Sequence, residues 1–394
     1  MMKSPSKPAK HLLFALLAFF AGWCQQAQAT GDTWRVEPNE SNKSTNTALT
    51  IELEAEKKLP IPEVTALEEG IIAPYLWKVT TPGVSAPSYL FGTIHIPDPK
   101  VTNLPPLVKQ AYDSADAVYT EIPMDILGIS GILGSISMMQ KIMLPMDEKL
   151  TDHLDLELEK RVDAILKDYG YSLLMFNQMK IWVVAAQVGQ MDLMEEISSG
   201  KELLDQKLYM DAKRGGKIVG GLETMESQLK VFDDLSTEEQ IKFLRETVKQ
   251  VELAKQKGLK PSESIIDAYL TGDTANIVGK LTDMMELDTA FGQKMYDRLL
   301  VKRDTDMSKK IADIIRADPN KINFFAIGAL HLPRKEGVVG LLREKGITVE
   351  RVIDPNWTPE WALQFTNDSV PEPVQPAPAN KEKEPKTKGN PFGI

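Results

Sequence analysis

The sequence predicts an α/β protein, because short apolar runs typical of buried strands alternate with longer stretches of helical periodicity. Two of the strand-like runs, at 88–97 and 324–333, continue into the same pattern, Gly-x-[Ile/Leu]-His-[Ile/Leu]-Pro. This internal match predicts a domain built on two related halves. Roughly 300 residues lie between a polar N-terminal arm and a polar tail, which is enough for one large domain.

Each position of the matched motif has a physical reason. Aromatic and β-branched residues before the motif suit a buried strand. Gly92 and Gly328 allow the backbone to bend or to approach a neighbour closely. The proline two residues after each histidine has no N–H to donate, so the strand stops and the imidazole lies at its end.

The pair of motifs exceeds what composition predicts. With 4 His and 25 Gly in 394 residues, chance gives about a quarter of one Gly-x-x-His. Two hydrogen-bonded core histidines are the alternative explanation, but the matched contexts favour a shared role for His95 and His331.

The N-terminus predicts export. Three lysines precede an apolar run at 12–23, and Ala27-Gln28-Ala29 has the form of a signal-peptidase site. Residues 1–29 are therefore predicted to be a signal peptide, and the apolar run is too short for a membrane span. The mature protein is expected to be secreted or periplasmic.

The single cysteine, Cys24, lies within the segment predicted to be removed. Lipoprotein anchoring through Cys24 is less favoured, because Trp23 is large where lipoprotein signals have a small residue. A mature chain without thiols excludes disulfides, zinc–thiolate sites and cysteine nucleophiles.

The composition divides the remaining chain into three parts. Residues 30–70 are polar with little periodicity and are predicted to form an arm or linker. Residues 71–360 carry the alternating strands and helices of the domain. Proline, lysine and glutamate dominate residues 361–394, which predicts a disordered tail. Neither flank has enough apolar area to contribute much to folding.

The domain is predicted to begin with paired strands at 75–80 and 89–94, joined by a turn rich in proline and glycine. A helix near 107–114 leads to a short buried strand at 117–120, which is followed at once by Glu121. The later elements are mostly helical. Helices are predicted at 146–170, 173–194, 236–251, 262–269, 288–315 and 337–345, and strands at 217–222, 324–328 and 347–353. A further helix, capped by Ser199, is predicted to end at Gly215-Gly216. The glycine-rich apolar segment 126–139 is predicted to be a buried helix hairpin, with a lid as the alternative.

Several function classes are disfavoured. The net charge is −10 and no basic stripe is present, which argues against nucleic acid as a partner. The sequence has no phosphate-binding Gly-Lys-[Ser/Thr] loop and no Gly-x-Ser-x-Gly elbow of a serine hydrolase.

Three residues form the candidate site. His95, Glu121 and His331 each follow a predicted buried strand, and a proline follows each closely. Two imidazoles and a carboxylate are the ligand set of a hydrolytic divalent metal site with open coordination positions. Because side chains from different strand ends converge at one edge of an α/β sheet, we expect the three residues to bind one metal ion.

Glu121 and Glu223 are the candidate catalytic carboxylates. Glu223 follows another predicted strand and could be a fourth ligand or the general base, with an ion pair or helix cap as the alternative. Asp205 and Arg303 lie on predicted helices, where surface positions are favoured. His153, among acidic residues on the polar side of a helix, is predicted to be a surface histidine.

Several ordered motifs carry a resemblance to a known family. They are Phe91-Gly92-Thr93-Ile94-His95, Tyr119-Thr120-Glu121, Gly221-Leu222-Glu223 with Gln228, Ile327-Gly328-Ala329-Leu330-His331-Leu332-Pro333, and the segment 337–342 with Gly346. Together they resemble the TraB/GumN family, which is related to the Tiki metalloproteases and the pheromone-shutdown protein PrgY. The resemblance implies a mixed β-sheet flanked by helices, similar to the erythromycin esterase and ChaN-like group.

The resemblance also implies a metal-dependent peptidase site, which maps onto His95, Glu121 and His331. Two positions depart from the family pattern. Family members often have glycine after His-Leu-Pro, where this chain has Arg334, and an Arg-Asn pair in the late helix, where it has Arg303-Asp304.

The function expected from the sequence is a secreted metal-dependent hydrolase, a peptidase that uses a metal-activated water. Zinc, manganese, cobalt and iron remain equal candidates for the divalent ion, and the substrate is a peptide or a small molecule. A non-catalytic periplasmic binder that sequesters a peptide or signal molecule is the alternative. A third and more distant alternative is haem or iron binding, which the similarity to the ChaN-like group implies. Tyr119, near the site, would then be important.

Overall fold

Six strands form one mixed sheet in the part of the chain that the computed structural model describes, residues 59–124, 141–198 and 200–365. The strands are β1 (Leu76–Thr80), β2 (Ser88–Thr93), β3 (Ala117–Thr120), β4 (Ile218–Gly221), β5 (Asn323–Gly328) and β6 (Thr348–Arg351). Their order across the sheet is β4-β3-β5-β2-β1-β6. Strands β4, β3, β5 and β2 run parallel, whereas β1 is antiparallel to both β2 and β6. The predicted α/β class and the mixed sheet are confirmed.

Helices fill most of the sequence between the strands. They are α1 (Pro99–Thr102), α2 (Pro106–Ser114), α3 (Leu150–His153), α4 (Leu156–Asp168), α5 (Ile181–Val188), α6 (Met194–Ser198), α7 (Leu204–Arg214), α8 (Met225–Asp233), α9 (Thr237–Gln256), α10 (Pro261–Leu270), α11 (Thr274–Met284), α12 (Ala290–Tyr296), α13 (Lys302–Ala317) and α14 (Val338–Glu344). Short 3-10 segments lie at Leu173–Phe176, Met191–Leu193, Ala329–His331 and Pro359–Gln364, and a π-helical turn lies at Asp297–Val301.

The two strands that carry the matched motifs are neighbours in the middle of the sheet. β2 pairs with β5 in parallel, and the register places Thr93 opposite Gly328. Every residue of β5 is buried, and the rings of Phe91 and Phe324 pack 5.8 Å apart. A central parallel strand is covered on both faces, which is why both segments are apolar throughout rather than alternating. The descent of the domain from two related halves stays a prediction.

One long predicted helix is wrong. The segment 173–194 is divided into a 3-10 turn, α5 and a second 3-10 turn. The residues between the first turn and α5 pair with another part of the chain instead: the N–H of Leu144 donates to the carbonyl of Gln178 at 2.7 Å, and Met143 forms a bridge with Met179. Backbone groups engaged in this way cannot also make helical i→i−4 bonds.

Three other helical boundaries also differ in detail. The predicted helix 146–170 is split, because Asp155 caps a new helix by accepting from the N–H of Leu158 at 2.9 Å. The predicted stretch 288–315 is α12, the π-helical turn and α13. The capping box at Ser236 is confirmed, and its helix α9 runs on to Gln256.

Residues 59–70, the end of the predicted arm, pack on the domain. The N–H of Leu67 donates to the carbonyl of Pro333 at 2.8 Å, and the N–H of Lys335 donates to the carbonyl of Thr65 at 3.2 Å. Glu68 accepts from the indole N–H of Trp77 at 2.9 Å. The expectation that residues up to 70 are loosely attached therefore fails for 59–70, because this segment covers the loop after His331.

The remaining expectations, about both chain ends and one internal segment, lie outside the described residues. These are the signal peptide at 1–29, the rest of the arm, the hairpin or lid at 126–139 and the tail after residue 365. Within the described ranges, no helix is both long enough and apolar enough to cross a membrane.

Candidate active site at the carboxyl edge of the sheet

The four parallel strands end at the same edge of the sheet, and the predicted site residues lie there. Glu121 follows β3 directly, His95 lies two residues after β2, Glu223 lies two residues after β4, and His331 lies in the 3-10 turn after β5. The N–H of Glu223 donates to the main-chain carbonyl of Glu121 at 2.6 Å, which fixes these two strand ends against each other. The topology alone therefore brings four distant parts of the sequence to one edge.

An aspartate orients the His95 ring. Nδ1 of His95 lies 2.7 Å from Oδ2 of Asp205, a residue of α7 that is 1% exposed. The hydroxyl of Thr93 donates to the other oxygen of Asp205 at 2.5 Å. Because an ionised carboxylate only accepts, Nδ1 of His95 carries the proton of this bond, and Nε2 is the ring atom left for other contacts.

A second aspartate orients the His331 ring in the same way. Nδ1 of His331 lies 2.5 Å from Oδ1 of Asp304, and the guanidinium of Arg334 bonds the other oxygen of Asp304. Nε2 of His331 is buried, has no hydrogen-bond partner among the described residues and lies 3.7 Å from Oε1 of Glu121. A buried polar atom is ordinarily hydrogen-bonded, so this nitrogen is the ring atom available to a water or a ligand.

Glu121 is held on both of its oxygens. Oε1 accepts from the N–H of Gly328 at 2.7 Å. Oε2 accepts from Nη2 of Arg303 at 2.6 Å and from the amide of Gln228 at 2.9 Å. The carboxylate is 3% exposed, so its position is set by these bonds rather than by solvent.

The guanidinium of Arg303 joins two carboxylates. Its Nε lies 3.0 and 3.1 Å from the two oxygens of Glu223, and its Nη2 lies 2.6 Å from Glu223 as well as from Glu121. Nη1 donates to the carbonyl of Leu299 at 3.1 Å, within the π-helical turn that precedes α13. Such turns are frequent at functional sites, because they shift the side chains that follow.

Gly328 leaves room for the carboxylate. A Cβ atom at this position would lie 2.9 Å from Oε1 of Glu121 and 3.3 Å from Cδ2 of His331. Any side chain at 328 would therefore displace the carboxylate or the ring. The glycine of the second motif has its physical reason in this close approach.

Charge and burial act in opposite directions at this edge. Burial lowers the pKa of His95, but the Asp205 carboxylate outweighs it and raises that pKa to about 9. Burial raises the pKa of Glu121, but the Arg303 guanidinium and the two imidazoles hold it well below its usual range. Burial lowers the pKa of Arg303, and Glu121 and Glu223 together raise it above its usual value. Glu121 and Arg303 therefore stay ionised at neutral pH.

The residues fit a divalent metal ion in their chemistry. Two imidazoles, each anchored through Nδ1 by a carboxylate, and a nearby glutamate are typical metal-binding groups, and an anchored Nδ1 directs Nε2 towards an ion. The position of Nε2 of His331, 3.7 Å from Oε1 of Glu121, is consistent with this use. In this conformation, no three His, Cys, Asp or Glu side chains among the described residues surround one point closely enough to hold a metal.

The sequence interpretation of two residues is wrong. Asp205 and Arg303 are not on the surface but are 1% and 7% exposed, and both contact site residues. The apolar stripe of each helix could have revealed this. Asp205 shares the buried face of α7 with Leu208 and Ala212, and Asp304, which was not singled out for the site, shares that of α13 with Ile311.

Glu223 and His153 agree with their simpler interpretations. Glu223 is held in an ion pair with Arg303, and its role as a base stays a prediction. His153 lies outside the site and contacts Glu148 at 3.1 Å. Tyr119, considered for haem or iron binding, packs its ring on Phe325 at 5.4 Å within the sheet.

The two departures from the family pattern contact each other. Arg334 and Asp304 are both fully buried and form an ion pair, and Asp304 in turn holds His331. A negative charge at 304 is therefore matched by a positive charge at 334. The two charges compensate each other, so neither is an unpaired buried charge next to the site.

Comparison with known proteins identifies similar chains. Metalloprotease TIKI2 of Danio rerio is 27% identical over 313 residues, which cover 70% of this chain and 60% of that protein. Metalloprotease TIKI1 of Homo sapiens is 26% identical over 319 residues, covering 70% of this chain and 61% of that protein. The chain thus spans about three fifths of the length of these relatives. No solved structure is a significant match.

A model of the TraB/PrgY/gumN family matches residues 75–351, which contain all six strands and every residue of the site. The match runs from one residue before β1 to the last residue of β6. The resemblance seen in the sequence motifs is thereby confirmed, and this chain belongs to the TraB/PrgY/gumN family.

Proposed function

We propose that the protein is a metal-dependent hydrolase that cleaves peptide bonds, with His95, Glu121 and His331 as the metal-binding residues. The observation that supports this most is His331, whose Nδ1 is anchored by Asp304 while its buried Nε2 has no partner in the part of the chain that the structure describes and lies 3.7 Å from Oε1 of Glu121. The named activity of the similar Tiki proteins agrees with the proposal.

The chain's own residues would position the reactants. A divalent metal at this edge would lower the pKa of a bound water and polarise a scissile carbonyl. Asp205 and Asp304 accept from Nδ1 of the two imidazole rings, so that Nε2 of each ring is the nitrogen that would face a metal. Glu223 is the candidate to accept the proton of the attacking water on a carboxylate oxygen, and Arg303 fixes that carboxylate beside Glu121.

Arg303 would also supply a permanent positive charge. Its guanidinium is 7% exposed, so little water screens it from negative charge that develops on a substrate carbonyl oxygen nearby. Because Glu121 and Glu223 already bind it, the cation needs no reorganisation when that charge develops.

We further propose that the substrate is a peptide outside the cytoplasm. The tripartite N-terminus, with cleavage after Ala29, supports export. Mass spectrometry of the mature protein from its native envelope tests this, and an N-terminus retained at Met1 or lipid-modified at Cys24 would contradict it.

One observation favours the alternative of a non-catalytic binder. Arg303 and Gln228 occupy Oε2 of Glu121, and no trio of acidic or histidine side chains closes around one point in the described residues. A site held shut by its own ion pairs could bind a peptide without cleaving it.

Metal analysis and peptide cleavage distinguish the two functions. The mature protein is loaded with Zn²⁺, Mn²⁺, Co²⁺ or Fe²⁺ and incubated with a mixture of unstructured peptides, and products are read by mass spectrometry. The hydrolase predicts stoichiometric metal and cleavage that are both lost in His95→Ala, Glu121→Gln and His331→Ala, while His153→Ala serves as the unaffected control. Double variants should lose little more than single ones, because ligands of one ion act as a unit. Metal-independent peptide binding without products would instead establish the binder.

A further inference from the structure

Arg334, which forms an ion pair with Asp304, is the residue near the site whose role the proposed function leaves open. Arg334 is fully buried, and each of its nitrogens has a partner. Nε donates to the carbonyl of Leu330 at 2.9 Å, Nη1 donates to the hydroxyl of Tyr296 at 2.9 Å, and Nη2 bonds Asp304. Burying a guanidinium is costly, so a site that retains one needs a specific use for it.

The contacts of Arg334 lead to one ring. Its guanidinium takes one oxygen of Asp304, which leaves only the other oxygen for Nδ1 of His331 at 2.5 Å. Arg334 also lies three residues after His331, and its Nε bond to the carbonyl of Leu330 ties it to the turn that carries the ring. Arg334 and His331 therefore bind the two oxygens of Asp304 from the same short segment, residues 330–334.

The turn itself leaves the guanidinium no freedom. The N–H of Arg334 donates to the carbonyl of Leu332 at 3.0 Å, and the N–H of Gly337 donates back to the carbonyl of Arg334 at 2.9 Å. The guanidinium also lies over the ring of Tyr296, 5.4 Å from its centroid. A side chain held at this many points can fix the carboxylate that it binds.

We propose that Arg334 is a positioning residue for His331: by holding the Asp304 carboxylate against Nδ1, it locks the ring in the tautomer and orientation that present Nε2 towards Glu121. The inference refines the site of the proposed function, but it concerns the metal-free protein. It can therefore succeed or fail independently of hydrolysis.

Selective ¹⁵N labelling of histidine tests the tautomer directly, because the chain has only four histidines and the mature chain is expected to have three. The His331 signals are assigned with His331→Gln. In the metal-free wild type, at pH values where the ring is neutral, we expect its single proton on Nδ1 rather than on Nε2. In Arg334→Met, the free carboxylate no longer fixes the ring, and we expect averaged or broadened signals and a 10- to 100-fold weaker affinity for Zn²⁺, measured against a chromophoric chelator.

A matched control separates positioning from loss of stability. Arg351 is another buried arginine, 9% exposed, which donates to the carbonyls of Ala73, Pro74 and Gly272 and, among the described residues, makes no hydrogen bond to a site residue. Arg351→Met should lower the melting temperature without changing the His331 signals. Arg334→Lys keeps a positive charge next to Asp304. It should therefore retain part of the tautomer signature that Arg334→Met loses.

A double variant covers the case in which Arg334→Met does not fold. Asp304→Asn combined with Arg334→Met removes both buried charges but keeps an oxygen that can accept from Nδ1. It should melt at a higher temperature than either single variant.

Unchanged His331 signals and Zn²⁺ affinity in Arg334→Met would show that the arginine is only structural. Additive losses in the double variant would equally refute the proposal. Failure of the wild type to bind Zn²⁺ would reject the proposed function but leave the tautomer result standing.

Discussion

The two histidine strands share a motif, but the site supports their imidazoles differently. Both rings are anchored through Nδ1 by an aspartate from a helix, Asp205 for His95 and Asp304 for His331. The other oxygen of Asp205 accepts from the neutral hydroxyl of Thr93. The other oxygen of Asp304 accepts from the fully buried guanidinium of Arg334. His95 is 8% exposed and His331 is not exposed at all.

The difference teaches that two equally buried carboxylates can be supported in different ways. Asp205, 1% exposed, is bound by the hydroxyl of Thr93 and by His95, whose pKa of about 9 gives that ring the opposite charge at neutral pH. At Asp304, which is 0% exposed, the fold places the guanidinium of Arg334, because a buried ionised carboxylate without a counter-charge would be too costly. The two copies of one motif can therefore need different supporting residues. The following experiments distinguish the support of His95 from the support of His331.

The largest contrast is expected between Asp304→Asn and Asp205→Asn. Asp304→Asn leaves Arg334 buried without its counter-ion and should destabilise the protein by about 3–5 kcal/mol. At pH 10, above the folded pKa of His95, Asp205→Asn leaves only neutral partners behind and should cost about 1–2 kcal/mol. Urea unfolding of the two metal-free variants measures both values. Equal losses would mean that the guanidinium makes no difference to the cost.

The pH dependence of stability of the metal-free protein should reveal the contribution of the His95–Asp205 pair. The pKa of His95 is about 9 in the folded protein and lies above its unfolded value, so the pair stabilises the protein fully below about pH 6.5. This contribution is lost as the pH rises through about 9, which amounts to about 3 kcal/mol. Unfolding free energies from pH 6 to 10 on chelator-treated protein measure it. The slope should disappear in His95→Gln, and a slope that persists there has another source.

The glycines of the two motifs should respond differently to an added methyl group. In Gly328→Ala the new Cβ would meet Oε1 of Glu121 at 2.9 Å, whereas in Gly92→Ala it would meet Cβ of Tyr75 at 2.9 Å. Each change should cost about 1–3 kcal/mol of stability through overpacking. Only Gly328→Ala should also weaken Zn²⁺ binding, because only there does the methyl group displace a site carboxylate. Calorimetric titration of both variants checks this, and equal Zn²⁺ affinities would contradict it.

The smallest effect is expected from Thr93→Val. This nearly isosteric change removes the 2.5 Å hydroxyl bond to Asp205 and should cost about 1 kcal/mol. The His95 ¹⁵N signals should show a less fixed ring, while the His331 signals stay as in the wild type. A change in the His331 signals would mean that the Asp205 and Asp304 contacts are coupled rather than separate.

Much of the fold followed from local signals in the sequence. The aromatic runs before Gly92 and Gly328 predicted two central strands, and the capping box at Ser236 predicted the start of α9. Strand ends followed by proline predicted where His95 and Glu121 lie. These signals are readable because each depends on neighbouring residues only.

The helix 173–194 could not be predicted correctly for the opposite reason. Its apolar residues suit a helix or a packed irregular segment equally, and pairing with residues 142–144 decides between them. Likewise, residues 59–70 have the composition of a linker, yet Leu67 and Glu68 find partners on the domain.

The sequence by itself determined which chemical groups the site contains: two imidazoles and a glutamate at the ends of buried strands. Only the tertiary structure decided which residues support them, because Asp205, Arg303, Asp304 and Arg334 are far from their partners along the chain or lie on other elements. A charged residue on an amphipathic helix is ordinarily a surface residue, and its burial is stable only when a partner of opposite charge arrives from elsewhere. Whether that partner arrives is a property of the packed fold and not of the local sequence.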